Sequence, residues 1–321
     1  MSKRIGCGVA VLLLSVASTL NAGQISALLV FGDSLSDTGN LFEVTGKPPG
    51  PYFGGRFSNG ILWHEHLAQK LGLPAATPSL KGGTNQAWAG AESGLGLSPL
   101  FVPNVLTQVL AYLLIQHTVS PTELVAIWAG GNDYLFGELV KADLPKPEKI
   151  ANDIEAAILA LTLAGGRQFL VPNLPFLGYS PLIRDKGAPG DAEKINNSVM
   201  LYNALLQTRL MQLENLLGIK IYQVDVATLF EEVRTDPAAY GLTNVTDAAF
   251  PDHVPQADEH LFWDYVHPTT RVHGFVADAA YASITHVPEP SSLTVAGVSL
   301  LLLGCRARRL QTRRVAERSA A

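Results

Sequence analysis

The sequence predicts an α/β fold in which a parallel sheet is covered on both faces by helices. Three observations carry this expectation. Four short apolar runs rich in β-formers recur along the chain, amphipathic helical stretches separate them, and no repeat of fixed period or low-complexity linker interrupts the series before Val287. Of the 321 residues, 47% are hydrophobic and 16% charged, which suits one large globular domain flanked by apolar processing segments.

Taken in order, Ala27 to Phe31 is the first buried strand, ended by the tight turn that Gly32 permits. Leu62 to Leu71 is the first helix, and Val105 to Gln116 the second, with Asn104 as a candidate cap. Leu124 to Trp128 is the second strand. Pro147 to Leu163 follows as a helix that Gly165-Gly166 ends. Gln168 to Val171 is the third strand, Glu193 to Leu217 a long helix with Asp191 as a candidate cap, and Ile219 to Val224 the fourth strand. Thr270 to Ile284 closes the domain as a helix. We read one catalytic domain over residues 23–286.

Both ends read as addresses. Lys3 and Arg4 precede the apolar run Val9 to Leu14, and small residues follow toward Asn21-Ala22, the pattern of a secretory signal peptide over residues 1–22 with cleavage after Ala22. At the other end, Val287-Pro288-Glu289-Pro290 leads into a twelve-residue apolar stretch, Leu293 to Gly304, followed by five arginines at 306, 308, 309, 313 and 314. A buried helix of the domain is the competing reading of that stretch. Residues 287–321 resemble the PEP-CTERM sorting signal. That resemblance implies an exported precursor held in the inner membrane by this segment, an exosortase-type processing protease as partner, and a mature protein without a membrane helix.

Removing residues 1–22 and everything after Pro290 takes Lys+Arg from 23 to 15 and Asp+Glu from 28 to 27, leaving a net charge near −12. Such a surface repels phosphate backbones, which argues against nucleic acid as a partner. The only cysteines, Cys7 and Cys305, lie in the removable ends, so the expected mature domain has no disulfide, no cysteine nucleophile and no cysteine-bound metal.

The chemistry is concentrated where strands end. Leu28 to Gly32 delivers Asp33-Ser34-Leu35-Ser36-Asp37 into a turn beyond the carboxyl end of a strand, the edge at which open α/β sheets bind ligands. On its own this segment fits either a serine nucleophile or an Asx turn that caps a helix. A serine hydroxyl needs a base, and the base needs an orienting group. Of eight histidines, His267 stands out in Asp264-Tyr265-Val266-His267-Pro268: Pro268 disfavours helix before it, so Asp264 and His267 lie three apart in a turn, within reach of one another. A capping Asp beside a surface histidine is the competing reading. Oxyanion donors are available from the Asn132 amide in Gly130-Gly131-Asn132-Asp133 and from the Gly90 N–H in Trp88-Ala89-Gly90-Ala91. His64-Glu65-His66 lacks the spacing of a His-Glu-x-x-His metal site and reads as a helix start, so no metal is expected.

Taken together, Gly32-Asp33-Ser34-Leu35-Ser36-Asp37, the turn ending in Gly90, Gly130-Gly131-Asn132-Asp133 and Asp264 to Pro268 resemble the GDSL lipase/esterases, also called SGNH hydrolases, over roughly Leu28 to Ile284. Gly55-Arg56-Phe57-Ser58-Asn59-Gly60, Val171-Pro172-Asn173-Leu174-Pro175 and Tyr202-Asn203 are similar to the same family. The resemblance implies a three-layer α/β/α sandwich of flavodoxin-like type. It implies Ser34 as nucleophile, His267 as base and Asp264 as its orienter, with Ser34, Gly90 and Asn132 forming the oxyanion hole. Gln86 and Ala89 depart from the family pattern around Gly90.

The absence of any Gly-x-Ser-x-Gly elbow argues against a standard α/β-hydrolase. The expected function is an exported serine esterase or lipase, without cofactor, acting on a lipid or acylated-sugar ester. Three other readings stay open at this level: exopolysaccharide O-acetylesterase, phospholipase or acyltransferase, and a surface or matrix protein that has lost catalysis.

Overall fold

The computed structural model describes residues 25–139, 143–250 and 256–285. The signal-peptide and sorting-segment expectations fall outside them. Among the described residues no helix is long and apolar enough to cross a membrane.

The strands are β1 (Ala27–Gly32), β2 (Glu123–Trp128), β3 (Gln168–Pro172), β4 (Lys220–Val224), β5 (Asn244–Ala248) and β6 (His260–Phe262). The α-helices are α1 (Asn40–Thr45), α2 (Trp63–Leu71), α3 (Val105–Gln116), α4 (Gly131–Leu139), α5 (Pro147–Leu163), α6 (Pro181–Lys186), α7 (Asp191–Leu217), α8 (Val226–Thr235) and α9 (Thr270–Thr285). The main sheet runs β1-β2-β3-β4 with every pairing parallel. Its continuous apolar strands are buried on both sides, as parallel strands between helices must be.

Residues 84–88 extend this sheet beyond β1. The Val30 N–H donates to the Thr84 carbonyl, Gln86 donates to Val30, and Trp88 donates to Gly32. The chain therefore leaves β1 in one direction to reach 84–88, then crosses back to β2. Such crossovers are right-handed, so α3, α5 and α7, which carry it toward β4, share one face, while α2 lies on the other beside α9. Phe31 meets Tyr112 of α3 edge-on at 5.7 Å, and Trp63 of α2 meets Trp128 at 5.6 Å. This is the expected three-layer sandwich, and its reversal point beside β1 lies where Ser34 emerges.

Two expected caps are corrected. Asn104 sits at the N-cap of α3 but makes no capping bond; its side chain accepts the Glu92 N–H and donates to the Leu95 carbonyl, stapling the preceding loop. Asp191 lies inside the first turn of α7, which starts two residues earlier than expected, and its carboxylate accepts the Ala188 N–H. His64-Glu65-His66 does open a helix, and Glu65 accepts the Leu62 N–H to close its first turn.

Candidate active site

β1 ends at Gly32 because nothing larger fits: a Cβ there would stand 2.6 Å from the Trp128 carbonyl oxygen. The chain then turns sharply, with the Asp33 carbonyl accepting the Ser36 and Asp37 N–H groups, and presents Ser34 at the sheet edge. From the opposite end of the sequence, the Phe262–Pro268 bridge and the Trp263 N–H bond to the His267 carbonyl close a tight loop. Inside it the Asp264 carboxylate accepts the Val266 and His267 N–H groups at 2.9 and 2.8 Å.

This loop brings three of the predicted residues into one chain of hydrogen bonds. His267 Nε2 lies 2.8 Å from Ser34 Oγ, and Nδ1 lies 2.9 and 2.8 Å from the two Asp264 oxygens. A carboxylate only accepts, so Nδ1 carries the proton and Nε2 is left to accept from the serine hydroxyl. Burial works to raise the Asp264 carboxyl, but the facing imidazole and the bonds to its oxygens overcome this and hold it below the usual carboxylate range.

The oxyanion candidates converge on the same edge. Asn132 opens α4, and its Nδ2 donates to the Ala91 carbonyl at 2.9 Å. Its neighbour Asp133 accepts from both the backbone and the hydroxyl of Ser93. Gly90 occupies the turn between Trp88 and Ala91 with φ +86°, a left-handed conformation in which a Cβ would also meet Leu100 at 2.7 Å. Asp37, a capping-turn candidate in the sequence, caps the start of α1 and also joins the blocks: its carboxylate accepts the Gly39, Asn40, Leu41 and Ala89 N–H groups. The turn after Ser34 and the turn containing Gly90 are thus held by one buried acid.

Burial drives the Asp33 carboxyl up to about 7, against the opposing Leu35 N–H and the His267 charge, and drives Asp133 up to about 6. A carboxyl raised in the folded state stabilises the fold below its unfolded value, about 3.8, and loses that contribution as pH rises through about 7. Asp33→Asn keeps an acceptor for Leu35 without the charge. Its stability relative to the parent should therefore rise between pH 4 and pH 8, by up to about 4 kcal/mol. Urea unfolding at the two pH values checks this, and a pH-independent difference contradicts it.

A cleft opens at Ser34, lined by Asn132 and His267 and walled by Leu35, Trp128, Leu174, Phe176, Phe230 and Leu261 among others. Among the described residues its one lysine or arginine, Arg234, is engaged: the guanidinium pairs with Glu231 at 3.0 Å and stacks 3.5 Å over the Tyr179 ring. Among the described residues no group of three or more acids, histidines or cysteines is gathered to hold a metal.

The family model described as GDSL-like Lipase/Acylhydrolase matches residues 28–280. A phosphatidylcholine-sterol acyltransferase of Aeromonas hydrophila is 28% identical, covering 87% of this chain and 96% of the relative. A thermolabile hemolysin of Vibrio parahaemolyticus is 26% identical over 85% of this chain and 67% of its own length. Among solved structures, the acetylxylan esterase Axe2 from Geobacillus stearothermophilus is 16% identical and covers 84% of this chain and 99% of its own, with a TM-score of 0.46.

Proposed function

We propose, from the premise that this chain belongs to the GDSL-like lipase/acylhydrolase family, that it hydrolyses carboxylic esters of apolar acyl chains through an acyl-enzyme on Ser34. The observation that carries this reading is the 2.8 Å contact between Ser34 Oγ and His267 Nε2, with Nδ1 held on Asp264.

In the proposed cycle His267 takes the Ser34 proton as Oγ attacks the ester carbonyl, and the Ser34 N–H, the Gly90 N–H and the Asn132 amide receive the charge that develops on its oxygen. His267 then gives its proton to the departing alcohol. Water, deprotonated by the same imidazole, releases the acid and restores the serine. Asp264 keeps the proton on Nδ1 throughout and stabilises the imidazolium that forms at each step.

The cleft favours an apolar acyl chain over an acetyl group on a sugar, because its walls are aliphatic and aromatic and its Arg234 is already paired. Each buried methylene is worth about 0.8 kcal/mol, so kcat/KM for p-nitrophenyl butyrate should exceed that for the acetate by on the order of tenfold. A panel of aryl esters set against acetylated xylo-oligosaccharides tests this. Preference for the acetylated sugars would overturn the acyl-chain assignment in favour of a carbohydrate esterase. The proposal includes export, with residues 1–22 as signal and 287–321 as a sorting segment processed at the inner membrane, on the sequence patterns alone.

A further inference from the structure

The stretch Gly55-Arg56-Phe57-Ser58-Asn59-Gly60 has no part in the cycle above, yet residues 52–61 bind the Asp264–Thr270 loop at nearly every step. Tyr52 donates its hydroxyl to Asp264 Oδ2 at 2.7 Å. The Phe57 ring lies 5.0 Å from the His267 ring. Ser58 donates to the Pro268 carbonyl at 3.0 Å, and the Asn59 side chain accepts the Thr270 N–H at 2.8 Å. The Thr270 hydroxyl in turn donates to the Ile61 carbonyl at 2.8 Å. The segment is itself anchored, since Arg56 grips Glu65 of α2 through two bonds of 2.7 Å with both side chains largely buried.

We propose that Tyr52 is a positioning residue for the acid–base pair, fixing the Asp264 carboxylate while the rest of this strap holds Pro268 and Thr270, which follow His267. This rests on the assignment of Asp264 and His267 above. The hydroxyl meets the same oxygen that lies 2.8 Å from His267 Nδ1, so the two donors hold that oxygen between them. Burial and the adjacent carboxylate push the phenol well above the ordinary tyrosine range, so it remains a donor wherever the enzyme is assayed. Edge contacts with Phe57, Phe250 and Trp263 at 5.4 to 5.8 Å keep the ring in place, and a phenylalanine retains them.

Removing the hydroxyl leaves the Asp264 charge less dispersed and more available to the imidazolium. The groups facing His267 are otherwise unchanged: Asp33, His273 and the Ser34 hydroxyl. The rise of kcat/KM with pH, which reports loss of a proton from the base of the free enzyme, should therefore move to higher pH in Tyr52→Phe. On p-nitrophenyl butyrate kcat should fall about tenfold with KM unchanged, because the carboxylate is no longer held in line with Nδ1 and the imidazole loses its fixed orientation toward Ser34.

A double-mutant cycle decides the route. In an Asp264→Ala background, Tyr52→Phe should cost less than about twofold, because its target is gone. The proposal is overturned by a loss below twofold in the parent background. It is equally overturned by a tenfold loss that persists without Asp264, or one that leaves the pH profile unmoved, since either assigns the hydroxyl a structural role that does not run through the acid–base pair. Turnover surviving Ser34→Ala would be a different failure, of the catalytic assignment itself.

Discussion

Replacing Ser34 with alanine is expected to lower ester turnover by about 10⁶, with His267→Ala nearly as severe, because a nucleophile and its base act as one unit and the loss of either removes the covalent route. The fold should survive. Among the described residues the hydroxyl of Ser34 bonds only to His267 Nε2, and alanine retains the backbone turn built on the Asp33 carbonyl. The measurement is kcat on p-nitrophenyl butyrate together with the thermal midpoint. Turnover within tenfold of the parent, at an unchanged midpoint, contradicts the assignment.

The second large effect is expected at Asn132. One of its two amide hydrogens is spent on the Ala91 carbonyl at 2.9 Å, which fixes the side chain, and the residue lines the same cleft as Ser34, where the second hydrogen is expected to meet the oxyanion. A donor fixed before the reaction costs nothing to reorganise when the carbonyl oxygen becomes an anion. Its removal from comparable sites lowers kcat by roughly 10² to 10³. Asn132→Ala should show that loss in kcat with little change in KM, since the interaction strengthens only in the transition state. Asn132→Asp should be at least as damaging, because it sets an acceptor where a donor is required. A loss below tenfold for the alanine variant removes Asn132 from the oxyanion hole.

The layers of the fold were legible because burial on both faces forces parallel strands into uninterrupted apolar runs, and the intervening long helices carry their own stop signals. Val105–Gln116 and Pro147–Leu163 have the bounds that periodicity gives. The elements missed are short. α4 starts within Gly130-Gly131-Asn132-Asp133, which reads as a turn because glycines open it. α6 and α8 did carry a signal, in Ser180-Pro181 and in Asp225 three residues before Thr228, whose N–H the Asp225 side chain caps. β5 lies within a polar run, Asn244 to Ala248, and owes its strand form to pairing with β6.

At the site, Ser34, His267, Asp264 and Asn132 could be singled out because each sits in a local turn motif at the end of an element, but each motif alone fitted an ordinary or capping turn as well, and only their ordered set pointed to roles. Tyr52 could not be singled out. It stands 212 residues from the carboxylate it contacts, and no periodicity or spacing relates two loops that meet only when the sheet is closed. The uniting role of Asp37 was hidden for the same reason. Its local bonds to Gly39, Asn40 and Leu41 look like ordinary capping, and only the bond to Ala89 shows that it joins two blocks.

Activation of the hydroxyl at residue 34 by the imidazole at residue 267 has a direct chemical readout. Incubation with a fluorophosphonate probe followed by peptide mass analysis tests it most directly. A single phosphonyl adduct on the peptide containing Ser34, lost in Ser34→Ala and slowed by orders of magnitude in His267→Ala, is the predicted result. An unlabelled parent protein, or an adduct on another residue that forms equally fast in both variants, would contradict it.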